Sequence, residues 1–279
     1  MKAGPSGISS ASRDLSFGSL VKKVWQHPLA KGIDINSPSA IESHREIFHS
    51  KPLLRRLYLG WYRECLPAFE ETKDLRGNIL EIGSGAGFLE EVIPNLIKTD
   101  IVPNPYASKV MDAMKLDFGN ETLRCIFLMG VLHHVPFPAR FLREAERCLI
   151  PGGRLVMVEP SNNFLQRFLA RYLDHYEYFD DGVEDWVNGS TGRMANANLA
   201  LPWVIFVRDR TRFEKEFPSL KIKPIRHHTF LSYVVTGGMT YRSFLPAFAA
   251  PLVDGIENLA SPFMEKLGTS MTIDIVKEK

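Results

Sequence analysis

Ile79-Leu80-Glu81-Ile82-Gly83-Ser84-Gly85-Ala86-Gly87-Phe88-Leu89 is the stretch whose reading decides the fold. Residues 78–82 form a short, mostly apolar run with one acid, the pattern of a buried parallel strand. Three glycines follow, and then apolar residues at Phe88, Leu89, Val92 and Ile93, which predict a helix. A strand that turns through glycines onto a helix lets a ligand approach bare backbone and aims the helix's positive end at an anion. A dinucleotide site would need Gly-x-Gly-x-x-Gly or Ala, and its third small position is here Phe88. That bulk argues against a pyrophosphate seated on the helix.

Outward from this turn, the chain alternates strands and helices as a doubly wound α/β domain does. Strands are predicted at 96–102, 109–111, 124–129 and 154–159, with a helix opening at Pro138 before the last of these. Leu220, Ile222 and Ile225 predict a sixth strand, and Met271, Ile273 and Ile275 a closing seventh. Two insertions interrupt the rhythm, at about 161–210 and 227–268. The first holds a predicted helix at 163–173, and Thr211 to Glu214 has capping-box spacing for a further helix to about Phe217. Before the first strand, Ser37-Pro38 opens a helix to about His49 and Lys51-Pro52 breaks it. Leu54, Leu57, Tyr58, Trp61, Tyr62, Cys65 and Phe69 then keep helical spacing from 52 to 69. The expected division is 1–19 disordered, 20–75 an N-terminal helical cap, and 76–279 the main domain with its two insertions as lids.

The strand ends carry suitable groups, because ligands in open α/β sheets bind at the carboxyl ends of strands. Asp100 follows Glu81 by one strand-and-helix step, where a carboxylate can accept from both hydroxyls of a ribose. Asp112-Ala113 can read an adenine edge through a carboxylate and a backbone N–H. Five stretches stand in order: Leu80–Gly87, Thr99–Ile101, Asp112–Phe118, Val131-Leu-His-His134 and Cys148-Leu-Ile-Pro-Gly-Gly-Arg154. The set, over roughly 77–160, resembles the class I S-adenosylmethionine-dependent methyltransferases, and is most similar to the small-molecule, type 11-like subgroup that includes quinone-biosynthesis enzymes. The resemblance implies a Rossmann-like, mostly parallel seven-stranded sheet and S-adenosyl-L-methionine as cofactor. It also implies roles. Glu81 binds the methionine amino group, and Gly83, Ser84 and Gly85 pass close to the amino-acid portion. Gly87 lets the helix pack closely, Asp100 holds the ribose and Ile101 lies on the adenine face. Asp112 and Ala113 read the adenine edge, and Met129 closes the pocket. Two departures from the family pattern are Leu123-Arg124 in place of Phe-Asp and Leu116-Asp117-Phe118 in place of Leu-Pro-Phe. Asn104-Pro105-Tyr106 reads as a turn.

Methyl transfer is an in-line displacement from a sulfonium, so positioning supplies much of the rate. A base is needed when the acceptor's proton must leave. His133 and His134, just past the fourth strand, are the catalytic candidates, with a backbone-bonded helix-start histidine as the alternative. His175 and Tyr176, followed by Glu177 and Tyr178, and Trp203 are substrate-side candidates on the first insertion, where a polar lid packed on the domain is the alternative. The apolar stripe Phe164-Leu165, Phe168-Leu169, Tyr172-Leu173 is expected to pack on the core, with weak contact to a membrane surface left open.

A net charge of +2 over 279 residues points to no nucleic-acid partner. Cys65, Cys125 and Cys148 lack metal-ligand spacing and read as reduced core residues, so no metal is expected. Without an apolar leader or an 18-residue apolar run, a cytoplasmic location is expected. The expected activity is methylation of a small molecule, a lipid, quinone or sugar-linked metabolite, with oxygen slightly favoured as acceptor. An NAD(P)-binding oxidoreductase and a non-catalytic S-adenosylmethionine-binding regulator are the alternatives. The sequence sets no oligomeric state.

Overall fold

The computed structural model describes residues 24–172, 177–189, 194 and 196–278. The predicted disordered segment 1–19 lies outside them. The strands are β1 (Asn78–Ile82), β2 (Ile97–Asp100), β3 (Lys109–Val110), β4 (Leu123–Met129), β5 (Leu149–Pro160), β6 (Leu220–Ile222), β7 (Arg226–His228) and β8 (Ser270–Lys277). Their order is β3-β2-β1-β4-β5-β8-β6, with β7 paired to the far end of β8. β1 to β5 are mutually parallel, while β8 runs antiparallel to β5, β6 and β7. The sheet is therefore the expected mostly parallel, doubly wound one, with one strand more than the seven expected. The extra strand, β7, sits in the second insertion, where Arg226-His-His228 shows no apolar alternation to betray it.

Period-two alternation divides the sheet into two faces. Leu80, Ile82, Ile126, Leu128, Leu155 and Met157 belong to one buried cluster. Ile79, Cys125, Phe127 and Val156 belong to the other, which receives Phe48, Tyr62, Cys65 and Ala68 of the N-terminal helices. Glu81 shares the parity of Ile79, so its carboxyl is aimed toward the helical cap and not toward the central core.

The cap comprises α1 (Ser39–Ser50), α2 (Pro52–Arg63) and α3 (Leu66–Glu71), and the later helices are α4 (Pro138–Cys148), α5 (Phe164–Tyr172), α6 (Leu201–Trp203), α7 (Arg210–Glu216), α8 (Leu231–Thr236), α9 (Ala250–Ala260) and α10 (Met264–Leu267). The helix predicted over 52–69 is broken at Glu64-Cys65, before Pro67, whose missing N–H suits it to a first helical turn. Arg124, the departure from the family pattern, anchors α3. Its guanidinium donates to the Phe69 carbonyl (3.3 Å) and Thr72 Oγ1 (3.1 Å) and lies over the Phe69 ring. From the neighbouring strand, Arg154 of β5 forms a two-pronged pair with Asp274 of β8 and also reaches Glu71 of α3.

Three local expectations are corrected. The glycine turn does not open an α-helix: Leu89–Glu91 is a single 3-10 turn. Pro94 and the left-handed Asn95 (φ 59°) end it at once, so no helix dipole faces the loop. The capping box at Thr211 does not form. The helix there, α7 (Arg210–Glu216), starts earlier, and Glu214 pairs with Arg210 instead of reaching back to a cap. The stripe on α5 (Phe164–Tyr172) is only half packed. Gln166, Leu169 and Ala170 face inward, whereas Phe164 is 83% exposed and Phe168 and Tyr172 are also open. In the second insertion, α9 (Ala250–Ala260) likewise turns its acids to the protein. Asp254 pairs with Arg56, and Glu257 accepts the Phe230 and Ser232 N–H groups. Leu252, Leu259 and nearby Phe248 stay exposed. Among the described residues no helix is long and apolar enough to cross a membrane.

Candidate functional site

A chamber of about 770 Å³ opens at the carboxyl ends of β1, β2, β4 and β5. This is the crevice where β2 and β4 diverge on either side of β1. The chain brings Glu81, Gly83, Ser84, Gly85, Asp100, Ile101, Asp112, Ala113 and Met129 to its wall, together with His133 and His134. Gly87 does not line it. Its left-handed backbone (φ 74°) instead lets Tyr106 pack against the loop, where a Cβ would meet Tyr106 at 3.1 Å. With no helix after the loop, close helix packing is not its role.

The glycine loop is fixed from three sides. Gly83 (φ 67°) passes so close to Val131 that a Cβ would sit 2.6 Å from a methyl. The Gly85 N–H donates to Asp100 Oδ2 (3.1 Å), and the Asn104 amide donates to the Gly85 carbonyl. Above, α1 closes on the loop. Phe48 stacks on Phe88 at 3.8 Å and Arg45 donates to the Ala86 carbonyl (2.6 Å). The bulk of Phe88 therefore belongs to the cap interface, a contact of a kind worth about 0.5–1.5 kcal/mol beyond area burial. Asn104, read from the sequence as part of a turn, is also a strut of the site.

Two polar atoms in this half lack a partner among the described residues. Glu81 Oε2 and Ser84 Oγ are buried without a hydrogen bond. Burial pushes the Glu81 carboxyl up to about 8, with Glu90 and Asp100 adding to the rise and Lys98 opposing it. An unpartnered buried acid calls for a donor, ideally a cation, to restore its ionised form. A Cβ at Gly85 (φ 50°) would meet nothing within 4 Å, so the loop presents bare backbone to open space. An adenosine carrying an α-amino acid fits this wall: its ammonium would answer Glu81, while its ribose hydroxyls and purine edge would meet the strand-end carboxylates of Asp100 and Asp112.

The other half of the chamber is organised by Glu159, at the end of β5, which the sequence did not flag. One carboxylate oxygen accepts the Val131 and Leu132 N–H groups (2.9 and 2.7 Å), and the other meets His133 Nδ1 at 2.6 Å. This buried carboxylate shapes the turn after β4 and aims the His133 Nε2 into the chamber. Glu177, from the first insertion, approaches from the opposite side, 3.4 Å from His133 Nε2 and 3.1 Å from His134 Nε2. Asn188 of the same insertion donates to the His133 carbonyl. Burial depresses the His133 pKa, but the charge and hydrogen bonds of Glu159 and Glu177 outweigh it and bring it up to about 10. In this arrangement the ring is an imidazolium at neutral pH, so the ordinary histidine value does not set its titration. Tyr58 and Tyr62 of α2 and Tyr233 of the second insertion complete an aromatic wall over the chamber. Burial, assisted by Glu177, holds the Tyr58 hydroxyl up at about 12.

Trp203 is absent from the chamber wall and packs against the main hydrophobic cluster, because its segment is helical (Leu201–Trp203, then Val204–Arg208) and not an open loop. His175 and Tyr176 lie outside the described residues. In the segment just before Trp203, Asn198 is used internally: its side chain accepts from the Asp180 and Ala200 N–H groups and donates to the Asp180 carbonyl.

The family model described as "Methyltransferase domain" matches residues 54–190, which spans α2, the glycine loop, the histidine turn and the segment that carries Glu177. Among curated proteins, the chain is 22% identical over 187 residues to a ubiquinone biosynthesis O-methyltransferase of Xanthomonas oryzae pv. oryzae, covering 54% of this chain and 78% of that one. It is 32% identical over 74 residues to a demethylmenaquinone methyltransferase of Protochlamydia amoebophila, 25% of this chain and 31% of that one. Among known structures, geranyl diphosphate C-methyltransferase from Streptomyces coelicolor A3(2) aligns with a TM-score of 0.47 at 10% identity, over 90% of this chain and 88% of that chain. With a methyltransferase-domain model matching residues 54–190 and methyltransferases among its relatives, this protein is a class I S-adenosylmethionine-dependent methyltransferase.

Proposed function

We propose that the chain methylates an oxygen of a small, largely apolar acceptor. S-adenosylmethionine would lie along the strand ends, its ammonium at Glu81, its ribose on Asp100 with Ile101 alongside, its adenine at Asp112-Ala113, and Met129 beneath the sulfur side. The acceptor would occupy the aromatic half of the chamber, its hydroxyl directed at His133 and His134. The observation that carries this reading is the juxtaposition, in one continuous chamber, of an ammonium-seeking carboxylate and a buried histidine–carboxylate cluster.

The bound cofactor supplies the methyl group on an electrophilic sulfonium. The chain's residues align the reactants, exclude water and receive a proton. An oxygen nucleophile must lose its proton as the methyl arrives, and on this reading His134 or Glu177, the members of the cluster beside the charged His133, accepts it. The titration belongs to the cluster as a unit. Glu159 then acts as the positioning carboxylate, fixing the ring and stabilising its charged form. A lipid- or quinone-like acceptor is supported by the aromatic wall and by the exposed apolar side chains of α5, whose inward face lines the chamber; they suit transient contact with a lipid surface.

The test is an incubation of purified protein and isotopically labelled S-adenosylmethionine with fractionated metabolite extracts, followed by mass spectrometry. The expected result is a labelled methyl ether from a neutral, apolar hydroxyl compound. A labelled methylamine or C-methyl product would refute the oxygen assignment.

A further inference from the structure

The histidine cluster has the donor set and spacing of a metal centre. One ring nitrogen from each of His133 and His134 and a carboxylate oxygen of Glu177 all lie within 4.8 Å of one another. Glu177 Oε1 is 3.4 Å from one imidazole nitrogen and 3.1 Å from the other. Bonds of about 2.0–2.2 Å at tetrahedral or octahedral angles separate neighbouring ligand atoms by roughly 3.0–3.5 Å, the range these pairs already occupy.

The surroundings favour a metal further. A metal-ligating histidine needs its other ring nitrogen held by a carboxylate or carbonyl, which fixes the tautomer and raises the ring's basicity. Glu159 does this for His133: its buried carboxylate accepts from Nδ1 at 2.6 Å, leaving Nε2 to face the chamber, where an ion would take the place of its proton. The carboxylate is itself immobilised by two backbone N–H groups. The two imidazoles come from a tight turn, Leu132–His134, while Glu177 comes from an insertion more than forty residues on, so spacing along the sequence does not reveal the set. Two carboxylates face two imidazoles at the edge of the chamber, a balance that a divalent cation neutralises.

We propose that His133, His134 and Glu177 form a binding site for a divalent first-row transition ion in the acceptor half of the chamber. Two imidazoles and one carboxylate suit zinc, manganese, iron or cobalt better than magnesium or calcium, which prefer all-oxygen sets. Three protein ligands leave positions open for the acceptor oxygen. The inference rests on the reading that the acceptor hydroxyl is directed at this cluster. A hydroxyl bound to the ion ionises more readily and gives its proton to solvent. Its oxygen lone pair then forms the bond to the methyl carbon, the carbon–sulfur bond breaks, and the electron pair stays on sulfur as S-adenosylhomocysteine. The ion thus replaces the proton that the cluster otherwise holds.

The test uses the full-length protein after chelator treatment, titrated with Zn²⁺, Mn²⁺ and Co²⁺ by calorimetry, with the visible absorption of Co²⁺ reporting geometry. The expected result is one ion per chain, with affinity reduced at least tenfold in His134→Ala and in Glu177→Ala. Glu159→Gln should weaken it by about 10–100-fold, as loss of an outer-shell partner does. S-adenosylhomocysteine binding, measured on the same variants, should be unchanged and shows that they are folded. No stoichiometric uptake by the wild-type protein, or uptake unaltered in both His134→Ala and Glu177→Ala, would overturn the metal site. A wild-type protein that binds the ion but not S-adenosylhomocysteine would leave the site standing and overturn the cofactor placement.

Discussion

Cofactor binding should release a proton, and the source is Glu81. Its carboxyl is buried and raised to about 8, so near pH 7 the ligand-free protein holds it mostly protonated. An arriving ammonium favours the ionised form, and the proton must leave. The size follows directly: about 0.9 proton is released per cofactor at pH 7, and between about pH 5.5 and 7 the affinity should rise roughly tenfold per pH unit. The assay is calorimetric titration with S-adenosylhomocysteine in buffers of different ionisation enthalpy, repeated across that range. Glu81→Gln should abolish both the proton release and the pH slope and weaken binding at pH 8 by about 1.5–3 kcal/mol, the worth of a charged hydrogen bond. The same shift has a stability consequence of definite sign. The folded-state pKa lies above the unfolded one, so the protonated carboxyl's contribution is full below about pH 4.5 and is lost as the pH rises through about 8. Ligand-free Glu81→Gln should therefore melt higher than wild type at pH 8 to 9, by at most about 4–5 kcal/mol of stability. Equal affinity at pH 5.5 and 7 with no net proton exchange would refute the reasoning.

Other expectations follow from the loop and the rim. Asp100→Asn keeps an acceptor oxygen for Gly85 and Asn104 but loses the charge, and should weaken S-adenosylhomocysteine binding by about 1.5–3 kcal/mol in calorimetry without unfolding the protein. Gly83→Ala and Gly85→Ala should separate: both strain a left-handed residue by about 1–2 kcal/mol, but Gly83→Ala also collides with Val131 and should lower the melting temperature more. Gly85→Ala should chiefly cost cofactor affinity, because its methyl points into open space. If the apolar rim meets lipid, the protein should co-sediment weakly with phospholipid vesicles, and the double substitution Phe164→Ser with Phe248→Ser should abolish it while solution activity on a water-soluble acceptor persists.

The placement of the strand-end residues on one chamber wall was legible because it depends on local order. Glu81, Asp100 and Asp112 close consecutive strand segments, and a parallel sheet brings such ends together whatever the loops do. The apolar parity of Leu80 and Ile82 against Ile79 likewise specified which face Glu81 would share. What the sequence hid depends on distant partners or on a single stop signal. The helix expected after Gly87 was cancelled by Pro94, seven residues on. β7 is a three-residue edge strand of Arg-His-His, held by pairing with β8 and not by apolar pattern. Glu159 looked like the polar end of a buried strand, and its role is visible only once the turn at 131–134 folds back onto it. Glu177 stood in the sequence only as a neighbour of the candidates His175 and Tyr176, since its approach to the histidine turn depends on how the insertion folds back, and Trp203 proved to belong to the core.

The most direct measurement is a crystal structure of the protein grown with S-adenosylhomocysteine. The ribose should lie on Asp100, the adenine at Asp112-Ala113 and the ammonium on Glu81, with the sulfur turned toward the half of the chamber that holds His133. Cofactor bound elsewhere, or bound with its sulfur facing away from the His133–Glu159 pair, would contradict it.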